Sequence, residues 1–345
     1  MWVYLLVFLV PLLASFQMPG KRRSLVGLAA FYVFLWVFTG LRFEVGPDWT
    51  GYGYIFQAAE AARWADVVND REPGFFLINR LASSLGWGLP GVNVICAAIF
   101  LFGVFRFAAR TANPWLATAA VVPYLVFIVS MSGIRQSAAM GLAFLALSNW
   151  HGSRLAWKLA LIFAAAIIHN SALVFLVFVI WDGGRYPVLR ALLGGGLMLL
   201  AFRYLGQSGA TETYTSRYFE QNIESTGAIF HVALSALPAA IYLFFRRQIR
   251  AHGGENMLVQ RAAILALLLV PMVFVSSTGA SRLSLYFSFV QMWVFPAFVL
   301  AHGRRWPLAN AMCAFYFMAV FLVYFMLGSH VSAYLPYRTL LLEAW

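Results

Sequence analysis

Arg42, Glu44 and Asp48 are crowded into the segment GLRFEVGPDWTGYGYIF (residues 40–56), directly after an apolar run. A second charged knot, DREPGFFLINR (residues 70–80), adds Asp70, Arg71, Glu72 and Arg80. A charge costs about 2.5 to 3.5 kcal/mol at the centre of a membrane span and less near the interface, so charges beside hydrocarbon usually line a cavity that uses them. Further polar residues interrupt apolar sequence downstream: Arg135 and Gln136 in MSGIRQSAAMGLAFLAL, His169 in AIIHNSALVFL, Arg282 and Tyr286 in ASRLSLYFSF, and Tyr337 and Arg338 in YLPYRTLLL. A carboxylate or neutral imidazole can take a proton from a hydroxyl. A guanidinium offers paired hydrogen bonds to an anion.

The elements that must position these groups are membrane helices. Of the 345 residues 62% are hydrophobic and 10% charged. Apolar runs of the length needed to cross a 30 Å hydrocarbon core recur from end to end and leave no room for a soluble domain. They fall at 2–18, 24–41, 89–107, 113–131, 133–149, 155–181, 187–205, 228–245, 258–275, 283–300 and 306–327. The 155–181 run is too long for one upright span, so either two short crossings meet at His169-Asn170-Ser171 or a tilted span overshoots. The expected fold is an all-α polytopic membrane protein of ten to twelve helices, a single integral membrane domain over 1–345 with outer loops at 42–88 and about 206–227.

Basic residues set the orientation. With Lys21, Arg22 and Arg23 in the cytoplasm, the other basic turns fall on the same side, giving fifteen basic and two acidic residues inside against nine and ten outside. The net charge of +12 is therefore an orientation signal and does not point to nucleic acid, because the basic residues lie in short turns between spans. Cys96 and Cys313 lie in apolar runs and read as small hydrophobes. No metal-ligand spacing or cofactor motif stands out, so neither is expected. On this topology Arg135, Gln136, His169, Arg282, Tyr286, Tyr337 and Arg338 all face outward. Arg282 and Tyr286, one helical turn apart, open the 283–300 helix and can point into one space. Taken singly, any of the arginines could instead snorkel to headgroups, and His169 could be a hydrogen-bonded packing residue between helices.

The order GLR, VGPDW, EPGF, RQSAA, AIIHNSAL, SRLSLYF and PYR resembles the EpsG family of bacterial exopolysaccharide proteins, within the wider group of Wzy-type O-antigen and capsule polymerases. The likeness covers roughly residues 25 to 340. It implies a GT-C-like helical fold, residence in the bacterial inner membrane with a periplasmic active site, and polymerisation of undecaprenyl-pyrophosphate-linked repeat units. A flippase and a chain-length regulator of the same pathway are the implied partners, besides membrane lipids. The leaving pyrophosphate then falls to Arg135, Arg282 and Arg338, with Arg42 as a fourth candidate, in place of a metal. The base is Asp48, His169 or Glu72. Trp49, Tyr52, Tyr54 and Phe56 could stack on sugar faces or form an interfacial belt, with Gln136, Tyr286 and Tyr337 as further substrate contacts. An O-antigen ligase or sugar acyltransferase would place His and Arg similarly, and a lipid-linked oligosaccharide flippase would also be polytopic and basic. A noncatalytic export subunit predicts that neutralising Asp48 or His169 leaves product length unchanged.

Overall fold

The computed structural model describes residues 1–17, 24–181, 227–252, 256–302 and 305–343, together with Leu192 and Gly196. The expected span at 187–205, apart from Leu192 and Gly196, the loop at 206–226 and the basic turn at 21–23 lie outside the described residues. Within them the chain is helical and no strand forms; the one ladder-like contact is an isolated bridge between Arg42 and Thr339. We number the helices α1 (Trp2–Ala14), α2 (Ser24–Gly40), α3 (Trp49–Ala61), α4 (Pro73–Ser84), α5 (Gly88–Ala108), α6 (Pro114–Ser132), α7 (Ile134–Ser148), α8 (Leu155–Ile168), α9 (Asn170–Trp181), α10 (Ala228–Phe244), α11 (Arg246–Ala251), α12 (Met257–Met272), α13 (Ser277–Tyr286), α14 (Phe289–Ala301), α15 (Trp306–Leu327) and α16 (Leu340–Glu343).

Three of these, α5, α6 and α15, are long and apolar enough to cross a membrane, and α13 with α14, bent by 56°, make a fourth if the pair is one span. Six shorter apolar helices of 10–17 residues accompany them. At 1.5 Å per residue a 17-residue helix is about 26 Å long, so these fill the hydrocarbon depth only with their flanking residues or where the bilayer thins. The chain is an all-α polytopic membrane protein.

Breaks in the helices set the architecture. Pro123 removes an N–H and crowds the preceding turn of α6, and the segment Val122–Val129 adopts π-helical pairing. Nearly all of α6 is buried, so this irregular turn sits at the centre of the bundle. Around it α5 and α7 meet through glycines. A Cβ at Gly141 would come within 2.4 Å of the Ile99 carbonyl oxygen, and one at Gly103 within 1.8 Å of that of Gly141. The absence of both side chains is what lets the backbones approach, a common device between helices in lipid.

The segment expected as a loop at 42–88 is folded. It holds α3, a 3₁₀ turn at Trp64–Asn69 and α4. Its start is tied to the C-terminal segment: Phe43 N–H donates to the Arg338 carbonyl (3.0 Å), Leu340 N–H to Leu41 (2.9 Å) and Gly46 N–H to Ala333 (2.8 Å). Gly46 has φ +103°, and a Cβ there would sit 2.4 Å from the Met131 carbonyl, so the loop enters the bundle beside the end of α6 only as glycine.

Candidate functional site

Where α3, α6, α7, α10, α13 and α15 converge they enclose a cavity of about 790 Å³. Asp48, Tyr52, Arg135, Gln136, His169 and Arg282 all line it. Six residues separated by up to 234 positions in the chain are thus brought to one space.

The junction of α4 and α8 builds the central contact. Pro73, as the first residue of α4, needs no N–H partner and starts the helix there, leaving Glu72 at the N-cap. Asp70 Oδ1 accepts from the Glu72 backbone N–H at 2.8 Å and holds the turn. Gly74 then lies against the last turn of α8, where a Cβ would touch the Ile167 backbone at 3.0 Å. That close approach sets Glu72 beside His169, which follows α8 in an extended conformation (φ −152°, ψ 114°). The 155–181 run therefore breaks at His169, with a 3₁₀ turn at Asn170–Phe175 before the chain returns to α-helix.

Glu72 bridges two partners. Its Oε1 lies 2.6 Å from His169 Nδ1, and its Oε2 accepts from Arg135 Nη1 at 2.7 Å. The Asn170 backbone N–H adds a longer contact of 3.4 Å. The Glu72 side chain is 9% exposed and stands behind Arg135 and His169. Burial pushes its carboxyl up, but the hydrogen bond from His169, the Arg135 guanidinium and the Asn170 N–H outweigh that and hold it below the usual carboxylate range. An ionised carboxylate can only accept, so His169 Nδ1 carries the proton toward Glu72. The remaining ring nitrogen, Nε2, keeps its lone pair in the neutral imidazole. Arg135 lies over Tyr52 and Phe75, 5.8 and 5.6 Å from their ring centroids. Across from this cluster Asp48 accepts from the Ser132 hydroxyl.

Other expected site residues stand elsewhere. Arg42 is fully buried and donates to the carbonyls of Thr39 (2.7 Å) and Val45 (3.2 Å) and to Asn93 Oδ1 (3.1 Å). It braces the turn after α2 and has no face on the cavity. Arg338 pairs with Glu44 at 2.8 Å on the surface. Tyr337 stacks on Phe38 (4.3 Å between centroids) and donates to its carbonyl. Trp49 packs edge-on against Phe43, and Tyr54 is exposed, so Tyr52 alone of the expected aromatic group that includes Phe56 lines the cavity. Tyr286 is buried with its hydroxyl on Ser171. The helix expected to open at 283 begins instead at Ser277 and ends at Tyr286, so Arg282 sits within α13 and not at a helix N-terminus. Arg135 does occupy the second position of its helix, α7.

The cavity also contains residues that the apolar patterning hides: Tyr124, His231, Ser281, Tyr324, His330 and Tyr334. Tyr124 and Tyr324 lie inside apolar runs, and a single His231 near the start of another carries no spacing to distinguish it.

Among the described residues no three His, Cys, Asp or Glu side chains converge as metal ligands. The fold and the cavity define a polytopic helical membrane protein with a histidine- and arginine-lined site let into the bundle. Residues 26–339 match the EpsG family, and the chain belongs to that family. At the level of the family this brings a polysaccharide-polymerase-like role. No curated protein and no solved structure matches the chain.

Proposed function

We propose that this protein is a metal-independent, GT-C-like glycosyltransferase that polymerises undecaprenyl-pyrophosphate-linked repeat units at the outer leaflet of the bacterial inner membrane. The observation that carries the reading is the chain of contacts Arg135–Glu72–His169 on the wall of the cavity. Glu72 fixes the imidazole so that Nε2 can remove the proton of an acceptor hydroxyl, a positioning role in place of the base role open to it in the sequence. Orientation of a catalytic histidine by a carboxylate is a recurrent arrangement. Asp48, held by Ser132, is placed to receive sugar hydroxyls. Arg282 and Arg135, both on the cavity wall, supply the positive charge for the departing diphosphate, where guanidiniums can do the work of a cation.

Purified protein given lipid-linked repeats should lengthen them, and excess EDTA should leave the rate intact. His169→Gln, which keeps size but cannot act as a base, should lower kcat by about 10²- to 10⁴-fold. A deletion strain should accumulate single-repeat lipid-linked glycan on the outer face. Failure of repeats to reach that face would make the protein a transporter, and a metal requirement restored by Mg²⁺ would remove the arginines from the leaving-group role.

A further inference from the structure

A belt of polar residues, linked partly by hydrogen bonds and partly by chain adjacency, lies along the cavity and ends in a histidine at each side. At one end His169 Nδ1 meets Glu72, and Glu72 meets Arg135. Gln136, the next residue, donates from Nε2 to the Arg282 carbonyl at 3.2 Å. Ser281 precedes Arg282, and its Oγ lies 2.6 Å from His231 Nδ1. The His231 ring is steadied by Tyr124, 5.1 Å between centroids, and by Phe230. Five members of the belt beyond Glu72, namely Arg135, Gln136, His169, Arg282 and His231, line the cavity, as does Ser281.

Both histidines are held through Nδ1, but their partners differ in kind. Glu72 can only accept, which leaves His169 Nε2 as a lone pair. A serine hydroxyl can donate. If Ser281 donates to His231 Nδ1, the proton of that ring is on Nε2, the opposite tautomer. Resting on the reading of the site as a glycosyl-transfer centre, we propose that His231 is a second catalytic histidine, whose Nε2–H donates a hydrogen bond to the departing diphosphate beside Arg282, with Ser281 as its positioning residue. In the transfer, the bond between the donor sugar's anomeric carbon and the diphosphate oxygen breaks and the electron pair stays on that oxygen. The acceptor oxygen bonds to the anomeric carbon, and its proton passes to His169 Nε2, from which it is lost to solvent after product leaves. His231 transfers no proton; its N–H stabilises the charge that appears on the leaving oxygen.

Because that oxygen remains in the lipid diphosphate product, binding of the product tests the proposal apart from turnover. Undecaprenyl diphosphate and undecaprenyl monophosphate would be titrated into purified wild type and into His231→Ala, His231→Gln, Ser281→Ala and His169→Gln, each checked for membrane abundance and thermal stability. Glutamine places an N–H close to the position of Nε2. His231→Ala should weaken diphosphate binding by about 10-fold or more, His231→Gln should recover most of it, Ser281→Ala should fall between, and His169→Gln should bind like wild type. In the polymerisation assay His231→Ala should lower kcat by about 30- to 1000-fold, in the range of lost oxyanion donors. Unchanged diphosphate binding in a folded His231→Ala protein, or equal losses in the alanine and glutamine variants, overturns the assignment. Wild type that binds the diphosphate with the expected pattern yet makes no polymer would sink the polymerase reading while keeping the diphosphate site. Wild type that does not prefer the diphosphate over the monophosphate would sink both.

Discussion

At the scale of single residues, the site depends on which side chain each charge meets. Glu72 was one of three equivalent bases by type, yet both its oxygens are engaged, and the group it orients, His169, lines the cavity. Its depressed pKa has a sign that can be tested. A carboxyl held lower in the folded than in the unfolded state contributes stability that is complete above the unfolded pKa, about 4.3, and is lost as the pH falls through the lower folded value. Glu72→Gln should therefore lower Tm relative to wild type at pH 6, because Arg135 and His169 lose a charged partner, at a cost of about 1.5 to 3 kcal/mol per hydrogen bond. The difference should shrink on acidification below about pH 4.3, where wild type also becomes protonated. A difference that grows there would mean the carboxyl is not ionised in the native pair.

At the scale of elements, close backbone approach is the recurring device. Gly74 brings α4 onto α8 and sets Glu72 against His169; Gly103 and Gly141 bring α5 onto α7, whose second residue is Arg135. The two contacts should respond differently to substitution. Gly141→Leu places a side chain into the Ile99 carbonyl and the backbone of Phe100, which cannot move without separating α5 from α7, so membrane abundance should fall sharply, at or above the roughly 3 kcal/mol typical of overpacking. At Gly74 the added Cβ is only tight, about a few tenths of an ångström from comfort. Gly74→Ala should keep abundance near wild type while lowering kcat, because the shift of α4 falls on Glu72. Equal abundance loss in both variants, by immunoblot of membranes, would contradict this division.

At the scale of the whole molecule, the cavity requires both ends of the chain. Residues 333–340 hydrogen-bond to 41–46, Tyr4 of α1 donates to the Tyr334 carbonyl, and Tyr334 in turn reaches Ile128 in the π-helical stretch of α6. Sequence-distant pieces therefore brace the part of the cavity wall that Tyr334 and Ile128 form. The basic turns make an outward-facing site an expectation that labelling can test. In a Cys96→Ala, Cys313→Ala background, a cysteine at Asp66 should be labelled by an impermeant thiol reagent in intact spheroplasts and one at Arg247 should not. Labelling of position 247 with protection of 66 would invert the topology and place the cavity on the cytoplasmic face.

The sequence by itself determined the solvent and much of the chemistry. Hydrophobic runs of span length require membrane helices whatever their packing, and basic turns bias their orientation, because both effects depend on local composition. The polar interruptions at Asp48, Arg135, Gln136, His169 and Arg282 were legible for the same reason: polar groups are rare in such runs and were each placed on the cavity wall. Only the tertiary structure decided how they are divided. Arg42 looked like an anion ligand but is consumed by carbonyls three residues away and by Asn93, a partner fifty-one positions distant. His231 had no local signal, since its role depends on Ser281 across fifty residues. Arg282 falls inside α13 because that helix starts at Ser277 after the Ser276 cap, and it ends at the Phe287–Ser288 bend, where an apolar pattern reads as one uninterrupted helix. Composition fixes whether a residue can be tolerated in lipid; its partner, and therefore whether its charge or proton is available to a substrate, is set by contacts between segments that the chain order does not encode locally.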